Sequence, residues 1–198
     1  MILWFLARAR ATHLPARWYA GGMSGLFEDP KRPTRHSDTE LGPSDAAFME
    51  RAIALAIENV LSGDGGPFGA VVVKNGRIIA EGTNLVTTNN DPTAHAEIVA
   101  LRAACRELKD FQLTDCDVYS SCEPCPMCLA ALYWARPRRI LFAGTREDAA
   151  LAGFDDSYIY DQIALNMATR DIAMHHFMRE HGQKAFHAWK QKSDKVEY

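Results

Sequence analysis

The chain has 198 residues, of which 47% are apolar and 24% charged, with a formal net charge of -3 and five cysteines. That length holds one domain with a substantial core, and the composition excludes a disordered chain; no apolar run reaches the roughly 18 residues that a membrane-crossing helix needs. Residues 1 to 43 carry six Lys/Arg against four Asp/Glu, and the remainder sixteen against twenty-one, which disfavours an extensive phosphate-binding face and a nucleic-acid partner and leads us to expect a small free substrate; the lack of a long apolar run leads us to expect no membrane partner.

The stretch Met1 to Gly22 holds Arg8, Arg10 and Arg17 and no acid. Its apolar opening, Ile2-Leu3-Trp4-Phe5-Leu6, precedes the charges, the reverse of a secretory signal. Residues 24 to 43, with Pro30, Pro33 and Pro43 among mixed charges, read as a linker. The expectation is an extension over 1–43, with Met23 and Met49 as alternative starts, ahead of one domain over 44–198. Three of the five cysteines fall between residues 122 and 128, which suits metal binding or free thiols in a reducing cytoplasm better than a disulfide framework.

From Ser44, a candidate N-cap, the residues Phe48, Ala52, Leu55, Ala56, Asn59 and Val60 recur near helical spacing, and Ser62-Gly63-Asp64-Gly65-Gly66-Pro67 ends that helix. Ala70-Val71-Val72-Val73, then Asn75-Gly76, then Arg77 to Glu81 predict an antiparallel hairpin with a tight turn. Thr93 is placed to cap a helix running through Ala94 to Leu101. Val118-Tyr119-Ser120 reads as a short strand leading into Cys122-Glu123-Pro124-Cys125-Pro126-Met127-Cys128, and Leu129 to Ala135 as a helix with prolines at its start. Arg139 to Ala143 is a fourth strand, and the alternation of strands and helices predicts a mixed sheet layered with helices.

Zinc favours imidazole and thiolate donors, and a catalytic site keeps three protein ligands plus one place for solvent. His95, Cys125 and Cys128 supply such a set. The two cysteines, three apart at a helix start, point the same way, and the helix dipole favours their thiolates. Cys122 and Cys125 share that spacing, so both pairs are formally possible; Pro124 directly before Cys125 favours Cys125 with Cys128. Were all three sulfurs to join His95, the site would be closed and structural. Cys105 and Cys116 have no partner at ligand spacing and read as small buried side chains. Glu97, alone, would be a surface glutamate on an amphipathic helix; two residues beyond His95 it becomes a candidate proton carrier for activated water.

His95-Ala96-Glu97 with Pro124-Cys125-Pro126-Met127-Cys128 resembles the H-x-E and P-C-x-x-C pattern of the zinc deaminases. The likeness is to the cytidine deaminase superfamily, and within it to bacterial-type guanine deaminases. It is carried by Gly65 to Ala70, Thr87-Thr88, Asp91 to Glu97, Ser121 to Cys128, Tyr133 to Pro137 and Ala152 to Tyr160. It spans residues 46 to 198 and does not extend into 1 to 43. The resemblance implies an α/β, three-layer α/β/α fold around a mixed five-stranded sheet, one zinc ion per subunit, and hydrolysis of guanine to xanthine and ammonia by metal-activated water. It also implies a homodimer in which C-terminal segments, about 160–198, exchange and lid the partner's site. By match, Glu97 and Asp156 are catalytic, and Asn84, Phe68, Ala96, Trp134 and Tyr198 meet the substrate. Plainer roles stand beside these: Phe68 and Trp134 as core aromatics, Asn84 as a turn residue, Asp155 or Asp156 as a helix cap. Phe186 and Trp189 read as packing anchors on a late helix. tRNA adenosine deaminases share Asp91 to Glu97 and Pro124-Cys125-x-x-Cys128, and a structural zinc module is the non-enzymatic alternative.

Overall fold

The computed structural model describes residues 41–197. Its elements run α1 (Pro43–Ser62), β1 (Gly69–Lys74), β2 (Arg77–Thr83), α2 (Val86–Asn89), α3 (Ala96–Leu108), β3 (Cys116–Cys122), α4 (Pro126–Ala135), β4 (Arg139–Gly144), α5 (Arg146–Leu151), α6 (Ser157–Ala164), a 3-10 turn (Met167–Thr169) and α7 (Arg179–Gln191). The sheet order is β2-β1-β3-β4. β1 is antiparallel to both neighbours, and β3 is parallel to β4. The sheet is therefore mixed, but among the described residues it has four strands and not the five expected. Beyond β4 the chain turns to helices; Arg170 to Met178, which could have supplied a further edge strand, has no ladder partner there.

Strand alternation sorts the core into two layers. Ala70 and Val72 of β1 and Val118 of β3 join Ala96, Ala100 and Ala104 of α3 and Leu132 and Ala135 of α4 on one face. The opposite parity, Val71, Val73 and Tyr119, packs on Ala52 and Leu55 of α1. Apolar side chains two apart on a strand point to the same side, so one helix covers one face and two cover the other. The alanine stripe of α3 lets its backbone approach β2 closely. A Cβ on Gly82 would lie 2.3 Å from the Ala96 carbonyl oxygen, so only glycine fits at that point. The hairpin forms as expected: Asn75 and Gly76 both have positive φ, 52° and 71°, the requirement of a two-residue turn matched to strand twist.

Two helix starts differ from expectation. α1 begins at Pro43 with Gly42 as N-cap, and Asp45 accepts the Gly42 N–H at 2.9 Å, so Ser44 is not the cap. α3 begins at Ala96 with His95 as N-cap. Thr93 instead closes a turn in which its N–H and hydroxyl both donate to Asp91 Oδ1, at 2.8 and 2.7 Å. Asp91 competes for Thr93 more effectively than the helix does, and the first turn moves two residues on.

Candidate metal centre and active-site cavity

The two motifs meet because both stand at helix N-termini against the same end of β3. His95 is the N-cap of α3 and Cys125 the N-cap of α4, each extended in backbone conformation. Neither side chain caps its own helix; both turn toward each other. Pro126 at the first position of α4 gives up an N–H that has no intrahelical partner, and one turn on, Cys128 faces the same point. The Nδ1 of His95 lies 3.6 Å from Cys125 Sγ and 3.5 Å from Cys128 Sγ, and the three donor atoms all fall within 4.8 Å of one another. Around a tetrahedral zinc with Zn–N near 2.05 Å and Zn–S near 2.3 Å, a nitrogen and a sulfur stand about 3.6 Å apart. The donor set and its spacing fit that ion with a fourth position left over.

Electrostatics favour thiolate at Cys125. Hydrogen bonding from Cys128, then the neighbouring His95 ring, holds the Cys125 thiol down at about 4. Donation to Cys125 and burial push the Cys128 thiol up. The hydrogen bond with Cys125 raises the His95 imidazole. A dication held there would take both sulfurs as thiolates.

Cys122 lies elsewhere. As the last residue of β3 it sends its thiol 3.5 Å to the Thr145 carbonyl, and burial pushes it up to about 11. It is outside the donor cluster. Cys116 is fully buried and Cys105 half-buried.

Glu97 is the second residue of α3 and only 6% exposed. Its Oε1 accepts from Ser120 Oγ at 3.1 Å and its Oε2 from the Cys128 thiol at 3.4 Å. Burial raises its carboxyl above the usual glutamate range. Helical geometry therefore puts a buried carboxylate beside the metal donors instead of on a solvent face. Ser120 was not anticipated from the sequence, although its parity with Val118 on β3 aims it at α3.

Above these groups opens a cavity of about 660 Å³. His95, Glu97 and Cys125 lie on its wall together with Phe68, Asn84, Phe154, Arg146 and Asp156. Phe68 and Phe154 meet edge to face at 5.0 Å between ring centres. Asn84 is buried, and its Oδ1 accepts the Val86 N–H at 3.2 Å, which leaves its amide nitrogen for the cavity. Asp156 is the N-cap residue of α6 without a side-chain capping bond; burial, then the nearby Cys125, raises its carboxyl. Asp155 instead accepts the Ser157 N–H at 2.9 Å. Two expected substrate contacts stand away from the wall. The Ala96 side chain is fully buried in the core, and Trp134 is 63% exposed on α4. Ala96 is needed where α3 meets Gly82, and Trp134 lies on the outer side of α4. Tyr198 lies outside the described residues. Sequence reasoning also passed over Phe154 as a wall and Arg146 at the mouth, where its guanidinium sits 5.1 Å from the centre of the Tyr160 ring.

Residues 43–144 match the model of the cytidine and deoxycytidylate deaminase zinc-binding region. The chain belongs to that family, with an α/β, cytidine-deaminase-like fold and a zinc-binding centre. It is 54% identical to the guanine deaminase of Bacillus subtilis over 151 residues, covering 76% of this chain and 97% of that protein. The solved structure of the B. subtilis enzyme superposes with a TM-score of 0.76 at 53% identity, covering 77% of this chain and 98% of the other. A tRNA-specific adenosine deaminase from Buchnera aphidicola is 44% identical over 99 residues, half of this chain and 60% of that protein.

Proposed function

We propose that this chain is a guanine deaminase, hydrolysing guanine to xanthine and ammonia as a step of purine breakdown or salvage. The observation that carries the reading is the buried Glu97 carboxylate beside the His95, Cys125 and Cys128 donors, at the floor of a cavity large enough for a purine base. The extent of the likeness carries the substrate. Similarity to the B. subtilis enzyme runs well beyond the length of the zinc-binding region, whereas the adenosine deaminase match is about that length.

When bound by His95, Cys125 and Cys128, zinc supplies Lewis acidity, lowering the pKa of water to about 7. Glu97 takes the proton of the attacking water, delivers it to a ring nitrogen, and passes a second to the departing amine. Its burial keeps that proton from bulk solvent, and Ser120 holds the carboxylate toward the cavity. The ring of Phe68 stacks on the base, the Asn84 amide nitrogen donates to a ring or carbonyl acceptor, and Asp156 binds the opposite edge or assists the proton. Water's oxygen ends on the carbon that carried the amino group, and ammonia leaves.

The reading includes a homodimer with exchanged C-terminal segments that lid the partner's cavity. α6 and α7 contain no buried residue, and Ile172, Phe177 and Phe186 are 75%, 82% and 67% exposed. Among the described residues Phe186 and Trp189 join neither apolar cluster of the core, and a second copy is the surface that would cover them. A cytoplasmic setting is supported by five cysteines without a disulfide, and no helix of the described residues is long and apolar enough to cross a membrane.

Ammonia release from guanine, cytosine, cytidine, adenosine and tRNA tests all of this at once. Guanine alone should react, and the chain lacking residues 190 to 198 should lose most of that activity while its unfolding transition persists. Turnover of tRNA alone would establish the adenosine deaminase reading in its place, and no turnover of any would leave a structural zinc module.

A further inference from the structure

The cavity wall that carries Phe68 and Asn84 is built where β1 and β2 part. Past their last ladder pair, Gly69 with Thr83, the strands are tied by Asn84 N–H donating to the Phe68 carbonyl at 3.2 Å, at the long end for such a bond. Asn59, in the last turn of α1 and 4% exposed, adds a second tie from behind. Its Nδ2 donates to the Gly66 carbonyl and to the Asn84 carbonyl, each at 2.9 Å. Its own carbonyl accepts from Asp64 N–H at 3.2 Å and from the Ser62 hydroxyl at 3.1 Å. One residue thus both turns the loop that leaves α1 and joins it to the end of β2. The junction has no slack: a Cβ on Gly65 would lie 1.9 Å from the Asn84 oxygen and 3.0 Å from Asn59 Nδ2.

We infer that Asn59 is a positioning residue for substrate recognition, its amide clamping Gly66 to Asn84 so that the Phe68 ring and the Asn84 amide are held at the separation a planar base requires. The inference rests on the reading of the site as a nucleobase deaminase. Asn59 itself is absent from the cavity wall and from the metal cluster; it acts through the two residues it ties. The chemistry calls for an amide, because two carbonyl oxygens must be met by one buried group, and an NH₂ carries two protons on a single atom. Aspartate has the same shape and offers only acceptors when ionised, so it would repel both carbonyls. Phe68 and Asn84 hold the base before and during reaction alike, so losing their alignment weakens binding in both states and appears in KM, not in kcat.

The test compares zinc-loaded Asn59→Asp and Asn59→Ala with Leu55→Ala, which strips buried packing from the same helix. In steady-state guanine deamination both Asn59 variants should raise KM about tenfold with kcat within about twofold, and calorimetry should show xanthine binding weakened about as much. Leu55→Ala should lower Tm and leave KM in place. An unchanged KM in folded Asn59 variants overturns the inference. So does an equal rise in KM for Leu55→Ala, which would make any loss of stability sufficient. Failure of both Asn59 variants to fold, with Leu55→Ala folded, reduces Asn59 to scaffolding and overturns it as well. If the wild-type chain does not turn over guanine, the enzymatic reading fails separately, and xanthine affinity still reports on the clamp.

Discussion

Glu97 and Asp117 are both buried, 6% and 3% exposed, on opposite faces of the same sheet, and their neighbours differ in kind. Asp117 receives a two-pronged fork from Arg138, Nε at 2.8 Å and Nη2 at 2.6 Å, and a further bond from Arg139 at 2.9 Å. Arg139 also reaches Asp45 at 2.5 Å, where the Tyr119 hydroxyl donates as well. Burial by itself would raise Asp117, but the two guanidinium groups outweigh it and hold the carboxyl below its usual range. Glu97 accepts from a hydroxyl and a thiol and, among the described residues, from no arginine or lysine, so burial dominates and its carboxyl is raised. A buried carboxylate given its counter-charges fastens α1 to β3 and β4. One denied them is held ready for a cation and a proton that arrive from outside.

Exchanging each carboxylate for its amide tests that contrast. Glu97→Gln should keep its zinc by metal analysis, keep or slightly raise Tm, and lose about 10² to 10⁴ in kcat, the usual contribution of a general acid and base. A kcat within about tenfold of wild type would take Glu97 out of the reaction. Asp117→Asn should do the reverse: stability in urea falls by about 1 to 3 kcal/mol because charge-assisted hydrogen bonds to a buried carboxylate are lost, while Arg139 keeps Asp45 and Arg138 is half exposed. Its folded fraction should turn over at the wild-type rate, and a loss of kcat like that of Glu97→Gln would erase the distinction between the two faces. The pH dependence of stability follows the same network. Asp45 and Asp117 both sit below their ordinary values in the fold. Their stabilisation is therefore complete above the unfolded value near 4 and is lost as the pH falls through the lower folded values. Tm should drop steeply below about pH 4 in the wild type and less steeply in Asp117→Asn.

The chemistry-bearing half of the molecule was the more legible in the sequence. His95, Glu97, Cys125 and Cys128 lie in short motifs whose spacing is set by one helical turn, so local geometry suffices to bring each pair together; only the meeting of the two helix starts at β3 needs tertiary structure. The hairpin at Asn75-Gly76 was legible for the same reason. What escaped the sequence depends on contacts between distant segments. Ser120 and Glu97 are 23 residues apart, and Asn59 and Asn84 are 25 apart. The start of α3 was misplaced because Asp91 captures Thr93, a choice between two local partners that propensity does not rank. Trp134, expected at the substrate, is exposed on α4, because helical position alone does not say which side of α4 faces inward when nearly every residue of that helix is apolar. The fifth strand was carried over from the family's pattern, and no alternation in Arg170 to Met178 demanded it.

The smallest effect tests how firmly Glu97 is held. Ser120 is 2% exposed, and at 3.1 Å its hydroxyl makes a long bond to Oε1, so its net worth should fall near 1 kcal/mol and its removal should cost about tenfold or less in kcat. Ser120→Ala should show that loss with zinc content and KM unchanged, since the serine touches neither the metal donors nor the base. Ser120→Thr, which keeps the hydroxyl, should recover most of the rate, whereas Ser120→Val, which has nearly the same volume without it, should not. If all three variants turn over at the wild-type rate, the Ser120 hydroxyl is not needed to orient the carboxylate in the zinc-loaded enzyme. The polar partner on β3 would then serve only to satisfy a buried oxygen, and the difference between the two faces of the sheet would reduce to the presence or absence of arginine.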